Sequence, residues 1–220
     1  MEQFPLDDSL WSGGLKPADY FQSLQNYKHL VLSLYRDAGV DSSDREPLIE
    51  ALDHYEPETA QEVQYRFVIL TEDWCGDSAS TLPYVARLAE ELAVEARVFR
   101  QSRNPALKEW YVNRGTEHIP VVSLVRRRAA GDEDSDGLWR EVFRWVERPA
   151  AAHGKVEAWL ADQPRFGQLR AAKDHDPAAA KEYFALYARL LREMASWYRN
   201  GLWSEIAGEF ARNLSRKNHH

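Results

Sequence analysis

Six consecutive large or β-branched residues, YRFVIL (Tyr65 to Leu70), run into TEDWCGDS (Thr71 to Ser78), and a helical period begins directly afterwards. The run is too short for a helix and reads as a buried strand. A strand that turns at once into a helix starts a crossover unit, which returns the chain to a second strand parallel to the first. The segments that follow fit this. TLPYVARLAEELAV repeats apolar residues at helical spacing (Leu82, Val85, Leu88, Ala89, Leu92), and ARVFR (Ala96 to Arg100) is a second strand. PALKEWYVNR (Pro105 to Arg114) is a second helix that Gly115 stops, and Pro120 opens a third strand, VVSLV. After the acidic GDEDSDG (Gly131 to Gly137), LWREVFRWV is a fourth strand, and Lys155 to Leu160 begins a closing helix. The order βαβα, then a β-hairpin and a helix, predicts an α/β fold: a mixed central sheet covered on both faces.

Helical segments flank this unit. Pro17 suits a first helical turn, and Tyr20, Leu24, Tyr27, Val31 and Leu34 follow at helical spacing up to Gly39. Ser43-x-x-Glu46 reads as a capping box for a helix carrying Leu48, Leu52 and Tyr55. Beyond Pro164, the stripe Tyr183, Leu186, Tyr187, Leu190, Met194, Trp197 and Tyr198 marks a long helix; Trp203, Ile206 and Phe210 follow Gly201. The organisation is an N-terminal helical extension (1–60), an α/β domain (61–163) and a C-terminal helical extension (164–220).

Composition limits the partners. A formal charge of −7 argues against nucleic acid, whose phosphates need a positive surface. No apolar stretch approaches the ~20 residues needed to span a bilayer, and MEQFPLDDSL lacks the features of a secretory signal. With a single cysteine no intrachain disulfide forms, so the expected location is the cytoplasm. His29, His54, His118, His153 and His175 show no ligand spacing, and His219 and His220 are set aside as terminal, so no metal site is expected. Arg126, Arg127 and Arg128 face the acids Asp132, Glu133 and Asp134 across a hairpin turn, which predicts mutual neutralisation.

The strand-to-helix junction with Trp74-Cys75-Gly76-Asp77-Ser78, together with Ile119-Pro120 opening the third strand, resembles the thioredoxin superfamily over roughly Tyr65 to Asp162. The TE-x-WCGD form and the added helices resemble an uncharacterised bacterial group within it in which a second thiol is commonly absent. The resemblance implies a three-layer thioredoxin-like fold with Cys75 as nucleophile and a cis-proline at Pro120 beside it. It also shows three departures. Ser78 stands where the resolving cysteine belongs, Asp77 stands where the motif usually has proline, and the family's buried acid falls on Ile69.

A dithiol reductase needs a second thiol to release its product, and Ser78 cannot do this. What remains is a monothiol route in which Cys75 forms a mixed disulfide with a protein or low-molecular-weight disulfide. An external low-molecular-weight thiol then resolves it as co-substrate; no bound cofactor is expected. In that reading Ser78 donates to the thiolate, Pro120 and Ile119 shape the approach, and Trp74, Gly76 and Asp77 contact substrate. The helix dipole favours S⁻ by about 0.3–1 kcal/mol. An Asp77 charge at roughly 6 Å opposes it by about 2–3 kcal/mol at an effective dielectric near 20. The expectation is an exposed sulfur with a pKa near the free value of about 8.5.

Each residue also has a plainer role. Asp77 and Ser78 serve the helix start, Trp74 packs the motif edge, Pro120 shapes a loop, and His118 is a solvated loop histidine. The alternative function is a non-catalytic thioredoxin-fold module that binds a protein or peptide. The Tyr183 to Tyr198 stripe is then core, or else a homodimer or partner surface. A glutathione-transferase-like enzyme is a third and more distant reading, because about sixty residues precede the α/β unit here.

Overall fold

The computed structural model describes residues 2–55, 63–128 and 137–216. The N-terminal part contains α1 (Asp8–Gly13), α2 (Pro17–Ser23), α3 (Lys28–Asp37) and α4 (Ser42–Tyr55). The α/β part runs β1 (Val63–Thr71), α5 (Gly76–Glu91), β2 (Glu95–Arg100), α6 (Pro105–Val112), β3 (Val121–Arg128), β4 (Arg140–Val146) and α7 (Ala150–Ala161). Then come α8 (Phe166–Ala172), α9 (Pro177–Trp197), a π turn (Tyr198–Leu202) and α10 (Trp203–Arg216). Strand order is β2-β1-β3-β4. β1 and β2 are parallel, and β3 is antiparallel to both β1 and β4. This is the mixed sheet expected from the order of segments. Asp132, Glu133 and Asp134 lie outside the described residues, so their expected pairing with the arginine run lies outside them too.

The apolar run of β1 is explained by two buried faces. Phe67 and Ile69 enter the core shared with α4, α5, α9 and α10, while Val68 and Leu70 enter a second core with Phe4, Leu6, Trp11, Leu107 and Tyr111. Strand residues alternate between faces, so a strand buried on both sides reads as a continuous apolar stretch. The second core is roofed by α6 and by the N-terminal strap. In the strap, Phe4 N–H donates to the Trp139 carbonyl at 2.7 Å. Gly14 lets the strap cross β2, because a Cβ there would lie 2.6 Å from the Phe99 ring and 2.8 Å from Arg97 Cβ. Arg66 is sandwiched between Trp11 at 4.3 Å and Trp139 at 4.5 Å, which ties the strap to the sheet.

Three local expectations change. The single helix expected from Pro17 past Leu34 is two helices, with Leu24 extended and Tyr27 left-handed at φ 58°. Polar contacts from the end of β2 and from the start of α3 override the local period there. Arg100 Nη2 donates to Ser23 Oγ at 2.8 Å, and Lys28 Nζ closes on the Gln22 carbonyl at 2.5 Å. The expected capping box is replaced by an earlier start at Ser42, where the Asp41 carbonyl takes the N–H groups of Asp44 and Arg45. The closing helix begins at Ala150, because Pro149 followed by three alanines starts a helix well before Lys155. No helix among the described residues is long and apolar enough to cross a membrane.

Candidate functional site

The end of β1 delivers Thr71, Glu72 and Asp73 to the junction, and Cys75 caps α5 with an extended backbone. Both acids before the cysteine are tied to the neighbouring β2 loop. Glu72 Oε1 accepts from Ser102 N–H at 2.6 Å, and Asp73 Oδ1 accepts from Arg100 Nε at 2.8 Å. The Ile119–Pro120 peptide bond is cis. The Ile119 carbonyl faces the sulfur, and Cys75 Sγ donates to it at 3.3 Å.

Cys75 is buried, at 7% exposure, which corrects the expectation of an exposed sulfur. Burial pushes the thiol up to about 11, although the Ser78 hydroxyl and the Ser78 and Asp77 N–H groups pull the other way. Desolvation is the largest influence, and a balance of helix N-terminus against Asp77 does not contain it. Ser78 Oγ bonds Thr71 Oγ1 as well, so its hydroxyl is shared between the strand and the sulfur. A thiol that donates to a carbonyl is held in its neutral form.

Both helical extensions pack around the junction, the N-terminal one beside the sulfur and the C-terminal one on Gly76. The crevice beside the sulfur is lined by Tyr20, Leu24, Tyr27, Glu72, Cys75 and Ser78, among others, and has about 10 Å³ of room, enough for one water at most. From the other side α9 lies directly on the start of α5. A Cβ on Gly76 would sit 2.7 Å from Leu191 Cδ2 and 3.1 Å from the Tyr187 ring carbon Cζ. Glycine is thus required at 76 by the approach of α9. Tyr27 and Tyr187 meet edge to face with centroids 6.2 Å apart, joining the two extensions beside the start of α5. Burial raises both phenols above their ordinary range, so both are neutral.

Asp77 points away from the sulfur and toward β4. Arg148 Nη2 donates to Asp77 Oδ2 at 2.7 Å and to Glu147 Oε1 at 2.6 Å. One guanidinium nitrogen is shared by two carboxylates, and Asp77 Oδ1 has no partner. Burial therefore outweighs Arg148 and pushes the Asp77 carboxyl up to about 6. Trp74 is the exposed residue of the motif, at 58%, and does not pack as an edge residue would.

A family model described as Thioredoxin matches residues 14–160. The chain belongs to the thioredoxin family. The match begins well before Tyr65 and takes in α2, α3 and α4 as well as the sheet. A search of curated proteins finds no match. Among solved structures, the chain is similar to a protein of unknown function, PA1234, from Pseudomonas aeruginosa, at 17% identity and a TM-score of 0.55, covering 99% of each chain. It is also similar to an HIV epitope-scaffold at 18% identity and a TM-score of 0.46, covering 91% of this chain and 96% of that one. The first likeness extends over both helical extensions and concerns the fold alone.

Within this thioredoxin-family site, Cys75, Gly76, Asp77, Ser78, Ile119 and Pro120 converge at the α5 N-terminus, with Trp74 at its rim. His118 is exposed in the loop. Ile69, at the position of the family's buried acid, is 1% exposed in the apolar core. Sequence reasoning missed Tyr20, Tyr27, Tyr187 and Arg148. The tyrosines were visible only as members of apolar stripes, and their hydroxyls were the one available hint of a polar edge to those faces. Arg148 carried no signal.

Proposed function

We propose that this chain is a thioredoxin-fold binding module for a protein or peptide, with Cys75 as a closed, protonated thiol that does not turn over disulfides. The observation that carries the reading is the buried sulfur, 7% exposed beside a narrow crevice. Disulfide exchange needs a thiolate with room for an incoming S–S bond, and the crevice beside Cys75 has about 10 Å³. Trp74, 58% exposed next to the closed cysteine, is the type of aromatic that anchors partners. A monothiol exchange protein resolved by an external low-molecular-weight thiol is the second reading. The Ser78 hydroxyl and the N–H groups of Asp77 and Ser78, all directed at Sγ, favour it as a cradle for sulfur charge.

Two measurements separate them. Iodoacetamide labelling of the folded protein, followed by mass spectrometry from pH 6 to 11, is expected to stay slow at neutral pH and rise only toward about 11. Peptides panned against the protein are expected to bind Cys75→Ala as well as wild type and to be lost on Trp74→Ala. Fast labelling at pH 7 with a stoichiometric mixed disulfide, or loss of peptide binding in Cys75→Ala, would overturn the binding-module reading.

A further inference from the structure

The second core gives way at one end of the sheet to a row of like charges. Gln64, Arg66 and Val68 share one face of β1, and Val68 is buried in that core. In the strand register Val68 lies beside Arg97 of β2, and Gln64 lies beside Arg127 of β3. Arg66, Arg97 and Arg127 therefore stand on one face of three neighbouring strands. Guanidiniums and indoles alternate across it. Arg97 lies over Trp11 at 5.5 Å, Arg66 between Trp11 at 4.3 Å and Trp139 at 4.5 Å, and Arg127 over Trp139 at 4.9 Å. Two buried rings thus hold three cations in a fixed order.

This row is short of counter-charge. Arg66 Nε is 3.9 Å from Glu95, whose side chain is 65% exposed, so solvent screens the pair. Arg127 Nη2 donates at 2.9 Å to Gln64 Oε1, a neutral partner. Arg97 makes no ion pair among the described residues, and its Nε, like Arg66 Nη1, is shielded from solvent with no hydrogen-bond partner. Burial and the neighbouring Arg127 and Arg97 push the Arg66 guanidinium below its ordinary range, while Glu95 and Asp8 push the other way. Gathering cations on rings rather than on carboxylates is costly in a chain of net charge −7 that has acids to spare. An anion taken up from outside would offset that cost, and the guanidinium fork suits one, binding an oxyanion through two parallel N–H bonds.

We infer that the row Arg97, Arg66 and Arg127 is a binding site for a multiply charged oxyanion, a phosphate or a carboxylate. Arg97 and Arg127, both partly exposed, make the outer contacts, and Arg66 supplies charge between them. The site is separate from the thiol. From Arg66 the strand runs on roughly 17 Å to Thr71, at about 3.3 Å per residue, before it reaches the junction. The inference does not depend on the reading of Trp74 and Cys75.

The test is isothermal titration calorimetry with sodium pyrophosphate and, in a second arm, sodium citrate, at ionic strength matched with sodium chloride. Wild type is expected to bind at least one of the two saturably. Pyrophosphate alone assigns the site to phosphates, citrate alone to carboxylates, and both to either. Arg97→Gln and Arg127→Gln are each expected to weaken binding at least roughly tenfold, the loss of one charge-assisted contact. Arg192→Gln, at an exposed position on α9, is expected to match wild type. Should one strand variant fail to fold, the other decides. No saturable binding of either anion tighter than about 1 mM means that these arginines are neutralised within the chain, and overturns the site. Wild-type affinity in the folded strand variants overturns it too, as does an equal loss in Arg192→Gln, the mark of diffuse attraction.

Discussion

Phe210→Ala is expected to lower the free energy of unfolding by about 3–5 kcal/mol, the range for removing a large aromatic from a packed core. Phe210 is fully buried, with ring centroids 4.9 Å from Phe143, 5.8 Å from Trp145 and 6.1 Å from Phe67. It is the point at which α10 packs on the sheet face that carries Phe67 of β1 and Phe143 and Trp145 of β4, so the vacated space is walled by rigid rings that collapse poorly. The check is urea unfolding by fluorescence. The midpoint should fall with little change in slope, while Phe184→Ala, 58% exposed, should stay within about 0.5 kcal/mol of wild type. A loss below about 1 kcal/mol in Phe210→Ala would mean that α10 contributes little to the core.

Arg148→Met is expected to cost about 3 kcal/mol at pH 8, because it leaves Asp77 charged and unpaired beneath α9. Asp77 and Arg148 are 16% and 15% exposed, so neither charge is well hydrated, and Glu147 loses the same partner. The pH dependence has a definite sign. The Asp77 carboxyl titrates near 6 in the fold, above its ordinary value of 3.8, so the folded state holds the proton more tightly than the unfolded chain. The stability this brings is full below the ordinary value and is lost as pH rises through about 6. Without Arg148 the carboxyl is pushed higher still. The gap between variant and wild type should therefore be widest at pH 8 and narrow toward pH 4.5. Urea titrations at both values measure it; equal gaps would assign the loss to packing rather than charge.

The sheet was legible because its signals are local. Phe67 to Leu70 is apolar on every residue, and the observed strand, Val63–Thr71, only lengthens the run. The helix after Cys75 and the strand after Pro120 were visible for the same reason. The break at Leu24 to Tyr27 was hidden, because a regular stripe of apolar residues runs across it and the anchors that interrupt it are distant: Arg100 takes Ser23, and Asp73 accepts from Gln25 N–H at 3.5 Å. The site divides along the same line. Its motif residues could be placed from the junction alone, whereas the burial of the sulfur involves Tyr20, Leu24 and Tyr27, far away in the chain. Whether an aromatic on a stripe ends in a core or over a thiol is a tertiary fact, and no window of local sequence contains it.

The strap also determines how the sheet can meet other chains. Gln3 bridges Arg140 on β4, and Leu15 bridges Val98 on β2, so one continuous segment touches both outer strands. A bare outer strand is a template on which foreign strands polymerise. Here those two docking points are already plugged from within, and a visiting peptide that sought to lengthen the sheet there would first have to evict the molecule's own leading residues.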